Sequence, residues 1–281
     1  LLNRLSSVAD AASAIRRWYC SDKELRVRLL IAIPIHNEQK YVNSVLEKVK
    51  QFHPDILVVD DGSTDGTGEL LAARNDIHVI RHPRNLGYGQ SLIDAFSFAD
   101  RNAYDWVITM DCDEQHEPEM IPTFIREIRT GKWDLISGSR YLEPRTDDDA
   151  PPSDRRHINA LLTEKVNGLF DLHLTDAFCG FKAHRVCAMR RLTLDVPGYA
   201  FPMQLWPQVA AAALRVREIP VRLIYNDPSR TFGGMLDDSQ RRLRHYLDVL
   251  HTETRRVAAR TTPVTAAVPC DDAPATCCCC E

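Results

Sequence analysis

One short stretch constrains this chain more than any other. The apolar run Trp106-Val107-Ile108-Thr109 leads directly into Met110-Asp111-Cys112-Asp113-Glu114-Gln115. A β-branched run that ends in acids two apart reads as a buried strand carrying carboxylates to its carboxyl end. Side chains alternate along a strand, so Asp111 and Asp113 would share one side if the extended backbone persists. Two carboxylates there suit a hard divalent cation, because magnesium-type sites use one or two carboxylates together with substrate phosphates. In an open α/β sheet the ligand lies in the crevice beyond the carboxyl ends of the strands. An isolated Asp-x-Asp would be read as a solvated acidic turn, so the other strand ends decide the matter.

Two more strands end in the same way. Ile56-Leu57-Val58-Val59 runs into Asp60-Asp61-Gly62-Ser63-Thr64-Asp65-Gly66-Thr67, a turn cluster in which Thr64 or Asp65 can cap a helix from about 66 to 74. Acids at such a turn would repel a phosphate; they suit hydrogen bonds to a ribose or to base N–H groups. Leu29-Leu30-Ile31-Ala32-Ile33-Pro34-Ile35 runs into His36-Asn37-Glu38. Three successive strands ending in polar groups are hard to ascribe to chance.

The rest of the chain fits a strand–helix alternation. Strands are expected at about 29–35, 56–60, 77–81, 106–110 and 134–138, with helices at about 39–52, 66–74, 89–103 and 118–129 between them. That alternation predicts a mostly parallel sheet with helices on both faces. Beyond Ser139 the pattern changes: a Pro- and acid-rich loop at 143–154, helices at about 155–171 and 203–214, a strand at 216–224 and a basic amphipathic helix at about 236–257. The last of these reads either as a membrane-surface helix or as a packed helix with a solvated basic face. Domain boundaries follow: a helical extension over 1–28, a main domain over 29–235, the amphipathic helix within 236–260 and a Cys-rich tail over 261–281 expected to be disordered. The nine cysteines, five of them at Cys270 and Cys277–Cys280, lack a pair-of-pairs metal spacing and suit a reducing compartment. A net charge of −4 and the absence of a nucleic-acid motif argue against nucleic acid as a partner. No apolar run is long enough to span a bilayer, so a cytoplasmic location is expected, with peripheral membrane attachment left open.

In order along the chain stand His36-Asn37-Glu38, Val59-Asp60-Asp61-Gly62-Ser63-Thr64-Asp65-Gly66-Thr67, Asn85-Leu86-Gly87-Tyr88-Gly89, Asp111-Cys112-Asp113-Glu114-Gln115-His116-Glu117-Pro118-Glu119 and Gly138-Ser139-Arg140-Tyr141. Together they resemble the family 2 glycosyltransferases, in particular the dolichyl- and polyprenyl-phosphate hexosyltransferases. Asp176-Ala177-Phe178-Cys179-Gly180-Phe181-Lys182-Ala183 and Glu218-Ile219-Pro220-Val221 add to the likeness. The resemblance implies a Rossmann-like nucleotide-diphospho-sugar transferase fold of the A type, an α/β architecture with a mostly parallel central sheet flanked by helices. It also implies roles at matching positions. Pro34, His36, Glu38, Val59 and Asp61 would line the nucleoside pocket, and Asp111, Cys112 and Asp113 would lie at the ribose and diphosphate. Asp111, Asp113 and Gln115 would hold Mg2+ or Mn2+. Arg140, with Arg155 or Arg156, would meet an acceptor phosphate, and Arg230 would close over the donor diphosphate.

The activity so implied is metal-dependent, inverting transfer of a hexose from a GDP- or UDP-sugar to a polyprenyl phosphate at a membrane surface. A phosphate monoester is already anionic and needs no base; a hydroxyl acceptor would need one, and Asp176 is the first candidate. Asp113, Arg230 and Asp176 are therefore the expected catalytic groups. Transfer to a hydroxyl of a small molecule or glycan, or a catalytically silent nucleotide-sugar-binding protein, are the alternatives. The chain departs from the subgroup at Gln204, where relatives usually carry a glutamate, and at Met235-Leu236, where a Ser-Lys pair is usual.

Overall fold

A computed structural model describes residues 27–146, 148–225 and 231–260. Among them, seven strands form one sheet in the order β3-β2-β1-β4-β6-β5-β7. The strands are β1 (Leu29–Ile35), β2 (Ile56–Asp60), β3 (His78–Arg81), β4 (Trp106–Thr109), β5 (Leu135–Ser139), β6 (Lys182–Arg185) and β7 (Val216–Pro220). All neighbours pair in parallel except β6, which runs antiparallel to both β4 and β5. The helices are α1 (Val42–Lys50), α2 (Thr67–Ala72), α3 (Tyr88–Arg101), α4 (Ile121–Arg129), α5 (Ser153–Phe170), α6 (Val186–Met189), α7 (Phe201–Ala211) and α8 (Ser239–Arg260). The expected helical extension before residue 27 and the expected Cys-rich tail beyond residue 260 lie outside the described residues.

Strand alternation divides the core in two. Leu30 and Ala32 of β1, Leu57 and Val59 of β2 and Val107 of β4 face one cluster, packed by Leu92, Phe96 and Ala99 of α3, Ile158 and Leu162 of α5, and Trp206 of α7. Ile31, Ile33 and Ile35, with Ile56, Val58 and Ile108, face the other, packed by Val42, Leu46 and Val49 of α1 and Phe124 of α4. A sheet covered on both faces needs strands that are apolar at every position rather than at alternate ones. That is how β1 and β2 read, and both are almost fully buried.

Three expectations need correcting. The strand expected at 106–110 ends at Thr109, and the segment from Asp111 bends, with Glu114 at φ +59; Asp111 and Asp113 are therefore turn residues and not two points on one extended face. The helix expected at 118–129 divides into a 3-10 turn over Pro118–Met120 and then α4. Strand β6 had no counterpart in the periodicity, because Lys182-Ala183-His184-Arg185 is polar at three of four positions.

The basic C-terminal helix is a packed one. Tyr246, Leu250 and Val257 of α8 are buried, and Leu243 and Leu247 pack on the same cluster as α7. Arg241, Arg244 and Arg255 remain exposed. Arg242 is buried instead, paired with Asp154 and donating to the Leu236 carbonyl.

A polar knot fastens α8 to α7. Gln204 accepts from the Asp195 and Val196 amides at 2.8 and 2.9 Å and donates to Asp195 Oδ1 at 2.6 Å and Glu253 Oε2 at 3.1 Å. Gln208 donates to the other oxygen of Glu253 at 2.8 Å. Only a side chain with both an acceptor and a donor end fills this position. Gln204→Glu would place a third carboxylate between Asp195 and Glu253 in a dry environment, raising its pKa. The variant is expected to lose about 2–3 kcal/mol at pH 7 relative to the native chain. A buried acid with a raised folded-state pKa destabilises only when deprotonated, so the difference should shrink toward pH 5. Urea denaturation at the two pH values measures it; equal stability at pH 7 would contradict the knot.

Candidate active site

Chain direction alone assembles the crevice. Strands β1, β2, β4 and β5 all end at one edge, and β1 is flanked by β2 on one side and β4 on the other, which makes a topological switch point there. Because β6 is reversed, Lys182 at its start pairs with Thr109 and Ser137 near the ends of β4 and β5. The segment 175–181 leading into β6 is thus delivered to the same edge.

Loops beyond β1 and β2 are knitted together. Asn37, at φ +58, donates its amide to Ser63 Oγ and accepts from the Thr64 amide at 2.8 Å. The amide of Glu38 donates to Thr67 Oγ1 at 3.0 Å. Asp65 accepts from the Thr67 amide and hydroxyl, at 3.1 and 2.5 Å, just ahead of α2, whose N-cap is Gly66 and not the expected Thr64 or Asp65. His36 is exposed and its Nδ1 donates to the Asp61 carbonyl at 2.8 Å.

Asp61 organises the next loop. Its carboxylate accepts from the Leu86 and Gly87 amides at 2.7 and 2.8 Å and from His82 Nδ1 at 2.7 Å, and His82 Nε2 reaches Asp94 at 3.0 Å. Gly87 has φ +106, and an added Cβ would lie 2.4 Å from the Pro197 carbonyl oxygen. The Asn85-Leu86-Gly87-Tyr88-Gly89 motif is therefore a turn clamped between Asp61 and the 196–198 segment, with Tyr88 as the first residue of α3.

Tyr88 points its hydroxyl at Asp111, and burial, then the neighbouring Asp111 charge and the hydrogen bond to it, raise the phenol pKa well above 10. On the other side lies Gly180: a Cβ there would sit 2.8 Å from Asp111 Oδ2 and 2.8 Å from Tyr88 Oη. His116 is buried and stacked on Phe181 at 5.1 Å; its Nδ1 accepts from the Asp111 amide at 2.9 Å, which leaves the proton on Nε2, 3.7 Å from Asp111 Oδ2. Burial lowers its pKa to about 4, so the ring is neutral. Asp113 also acts on that ring, as do Arg140 and Lys182, so both acids and both cations share one neighbourhood. Asp113 Oδ1 accepts from the Gln115 amide at 3.0 Å.

Arg140, just past β5, forms a two-pronged pair with Asp176: Nε to Oδ2 at 2.6 Å and Nη2 to Oδ1 at 3.0 Å. Asn159 and the amides of Phe178 and Cys179 also donate to Asp176 Oδ1. Burial alone would raise the Asp176 pKa, but the Arg140 charge and these bonds hold it well below the usual carboxylate range. Behind it, Glu218 of β7 accepts from the Thr175 and Asp176 amides. Lys182 is buried, donates to the Cys179 carbonyl, and is lowered in pKa by desolvation.

These positions sort the expected site residues. Asp111, Asp113 and Gln115 lie on one bend and Arg140 is close by. Arg140 and Arg156 both stack on Tyr141, at 5.6 and 3.7 Å, and Arg155 stacks on Tyr225 and Phe232 at 5.3 and 4.6 Å. Pro34 and Val59 face each other across β1 and β2. Val59 is buried in the apolar core, as is Cys112, so either can meet a ligand only through its backbone. Glu38 is buried. Asp176 is fully buried, paired with Arg140 through both carboxylate oxygens and held at low basicity, an arrangement that positions Arg140. Arg230 lies outside the described residues. Tyr88, Gly180, Asn159 and Glu218 received no roles from sequence, although three of them stand inside the quoted motifs.

Among the described residues no cluster of three or more His, Cys, Asp or Glu side chains is placed to hold a metal ion. Asp111, Asp113 and Gln115 offer two carboxylates and an amide oxygen, a hard donor set that suits Mg2+ or Mn2+ when phosphates complete the shell.

Comparison with known proteins decides the family. The model of glycosyl transferase family 2 matches residues 30–193. The chain belongs to that family. This glycosyltransferase is 30% identical to the undecaprenyl-phosphate mannosyltransferase of Micrococcus luteus over 224 residues, 76% of this chain and 91% of the relative. It is 29% identical to the polyprenol monophosphomannose synthase of Mycolicibacterium smegmatis, over 69% of this chain and 76% of the relative. Its fold is that of the A-type glycosyltransferases: Mycobacterium tuberculosis glucosyl-3-phosphoglycerate synthase in complex with Mn2+, UDP-glucose and phosphoglyceric acid superimposes with a TM-score of 0.61 at 18% identity, covering 90% of this chain and 86% of that one.

The Arg140–Asp176 pair generates a test. Asp176→Asn strands a buried guanidinium and is expected to cost about 3–5 kcal/mol at pH 7. Because the folded-state pKa of Asp176 is depressed, its contribution is present above about pH 4 and fades as the pH falls through the folded value. The variant's deficit in urea denaturation should therefore narrow below pH 4; a constant deficit would contradict the ionised pair.

Proposed function

We propose that this glycosyltransferase moves a hexose from a GDP- or UDP-linked donor to a polyprenyl phosphate at a membrane surface, with inversion and with Mg2+ or Mn2+ at Asp111 and Asp113. The observation that carries the reading is the meeting of Asp111 and Asp113 with Arg140 around one neutral histidine, His116, at the carboxyl edge of the sheet.

When bound, the cation would act as a Lewis acid on the diphosphate leaving group. His116 holds the backbone of Asp111 and stays neutral. Arg140, kept charged and oriented by Asp176, supplies a fixed positive charge near the acceptor. Arg155 and Arg156, flattened against aromatic rings, add two more cations on planar supports. At neutral pH Asp176 is held ionised in its pair with Arg140 and His116 accepts from an amide, so neither is placed to act as a base. That arrangement favours an acceptor already ionised over a hydroxyl. The named relatives, an undecaprenyl-phosphate mannosyltransferase and a polyprenol monophosphomannose synthase, support the same acceptor class. Among the described residues no helix is long and apolar enough to cross a membrane, so the lipid would be met at its head group.

Thermal shift with UDP and GDP, each with and without Mn2+, tests the donor half. A ligand at a hundred times its Kd adds about 2.7 kcal/mol, a rise of several degrees. Asp113→Ala should remove the metal-dependent part of that rise while leaving the unliganded melting point within about 2 °C. Transfer of labelled sugar into butanol-extractable polyprenyl phosphate tests the acceptor half. Label appearing only in a hydroxyl-bearing product would overturn it.

A further inference from the structure

Tyr88 begins α3 with its hydroxyl facing the Asp111 carboxylate over Gly180, where an added Cβ would lie 2.8 Å from Tyr88 Oη and 2.8 Å from Asp111 Oδ2, and nothing about packing requires a tyrosine to direct its polar end at an acid. The surroundings fix that direction from three sides. Asp61 grips the Gly87 amide immediately before it. The Gln90 amide, two residues on, donates to the Pro197 carbonyl at 2.9 Å, and an added Cβ on Gly89 would lie 2.2 Å from the Val196 carbonyl oxygen. The ring stacks on Tyr199, centroids 5.7 Å apart and planes 13° apart, and Tyr199 in turn meets Phe232 edge to face at 5.3 Å. Gly180 supplies the space in which hydroxyl and carboxylate meet.

We propose that Tyr88 is a positioning residue for the donor site, orienting Asp111 through its hydroxyl while Asp61 orients Tyr88 through the Gly87 amide. The inference rests on the reading of Asp111 as a ligand of the metal and diphosphate. It gives Asp61, expected at the nucleoside, a second role, because its carboxylate sets the start of α3 and, through Tyr88, the rotamer of an acid on another strand end. The support is lateral: Tyr88 holds the carboxylate from α3, while His116 holds the backbone from within the bend. A carboxylate steadied by Tyr88 on a backbone held by His116 loses little freedom when a cation arrives. Removing that polar contact to a charged group is then expected to weaken the binding of that cation by about tenfold.

The test is Mn2+ binding, followed by calorimetry and by the electron paramagnetic resonance of free Mn2+, in the presence of UDP and separately of GDP. Three proteins are compared: the native chain, Tyr88→Phe and Asp111→Asn. Tyr88→Phe keeps the ring and its stack on Tyr199. It is expected to bind Mn2+ about tenfold more weakly, with an unchanged circular dichroism spectrum, and raising Mn2+ by the same factor should restore nucleotide binding. A general packing defect would not be rescued by metal. Native affinity in Tyr88→Phe, with Asp111→Asn impaired, overturns the role of Tyr88 and leaves Asp111 as a ligand. Native affinity in Asp111→Asn overturns the ligand reading and the inference with it. Should Tyr88→Phe fold poorly, Gly180→Ala reports on the same contact without altering the tyrosine: its methyl would lie 2.8 Å from both partners and must part them. A similar loss of Mn2+ affinity supports the proposal, and native affinity overturns it.

Discussion

The reversed direction of β6 is the constraint on which the site depends. A parallel strand between β4 and β5 would have entered the sheet from the opposite edge, and its lead-in would have lain far from the carboxyl ends. Running backwards, it brings 175–181 to the crevice, and with it come Asp176, Gly180 and Lys182. Asp176 fixes the guanidinium that leaves β5, and Gly180 makes room for the carboxylate that leaves β4. One change of strand direction therefore couples the surroundings of Asp111 to those of Arg140.

Charges in this crevice are held in place by groups that have given up their own chemistry. Asp176 is a carboxylate with very little basicity left, Lys182 is an ammonium bonded to a carbonyl in the interior, and His116 is an imidazole that burial keeps neutral. Each would be reactive in water. Here they form a fixed background of charge and dipole around Asp111, Asp113 and Arg140, and preorganised groups need no rearrangement as new charge develops.

Much of this was legible in the sequence. The alternation of apolar runs with helical stripes located six of the seven strands and the sheet class, and the polar groups following β1, β2 and β4 located the crevice. Asp111 and Asp113 stood out as acids just beyond an apolar strand, and Arg140 through its place in a family motif. What escaped was whatever depends on the third dimension. Lys182-Ala183-His184-Arg185 carries no strand periodicity because polar side chains point into the interior, where Thr109 approaches His184 at 3.4 Å and Lys182 finds a carbonyl. Asp176 drew attention through its position in a family motif, and only the structure shows its burial and the donors crowded around it. Gln204 looked like a lost acid, whereas its two-ended amide is what lets α7 hold α8.

The bare α-carbon of Gly180 and the sunken side chains of Val59 and Cys112 divide the crevice into two kinds of position. Where ligand contact can come only from the main chain, many side chains of suitable bulk would serve, and such places are free to drift over evolutionary time. Where a single methyl group would force two polar atoms apart, the choice of amino acid is closed. Variation in proteins of this build would then gather at the exposed rim, around His36, while the floor beneath Asp111 stays as it is.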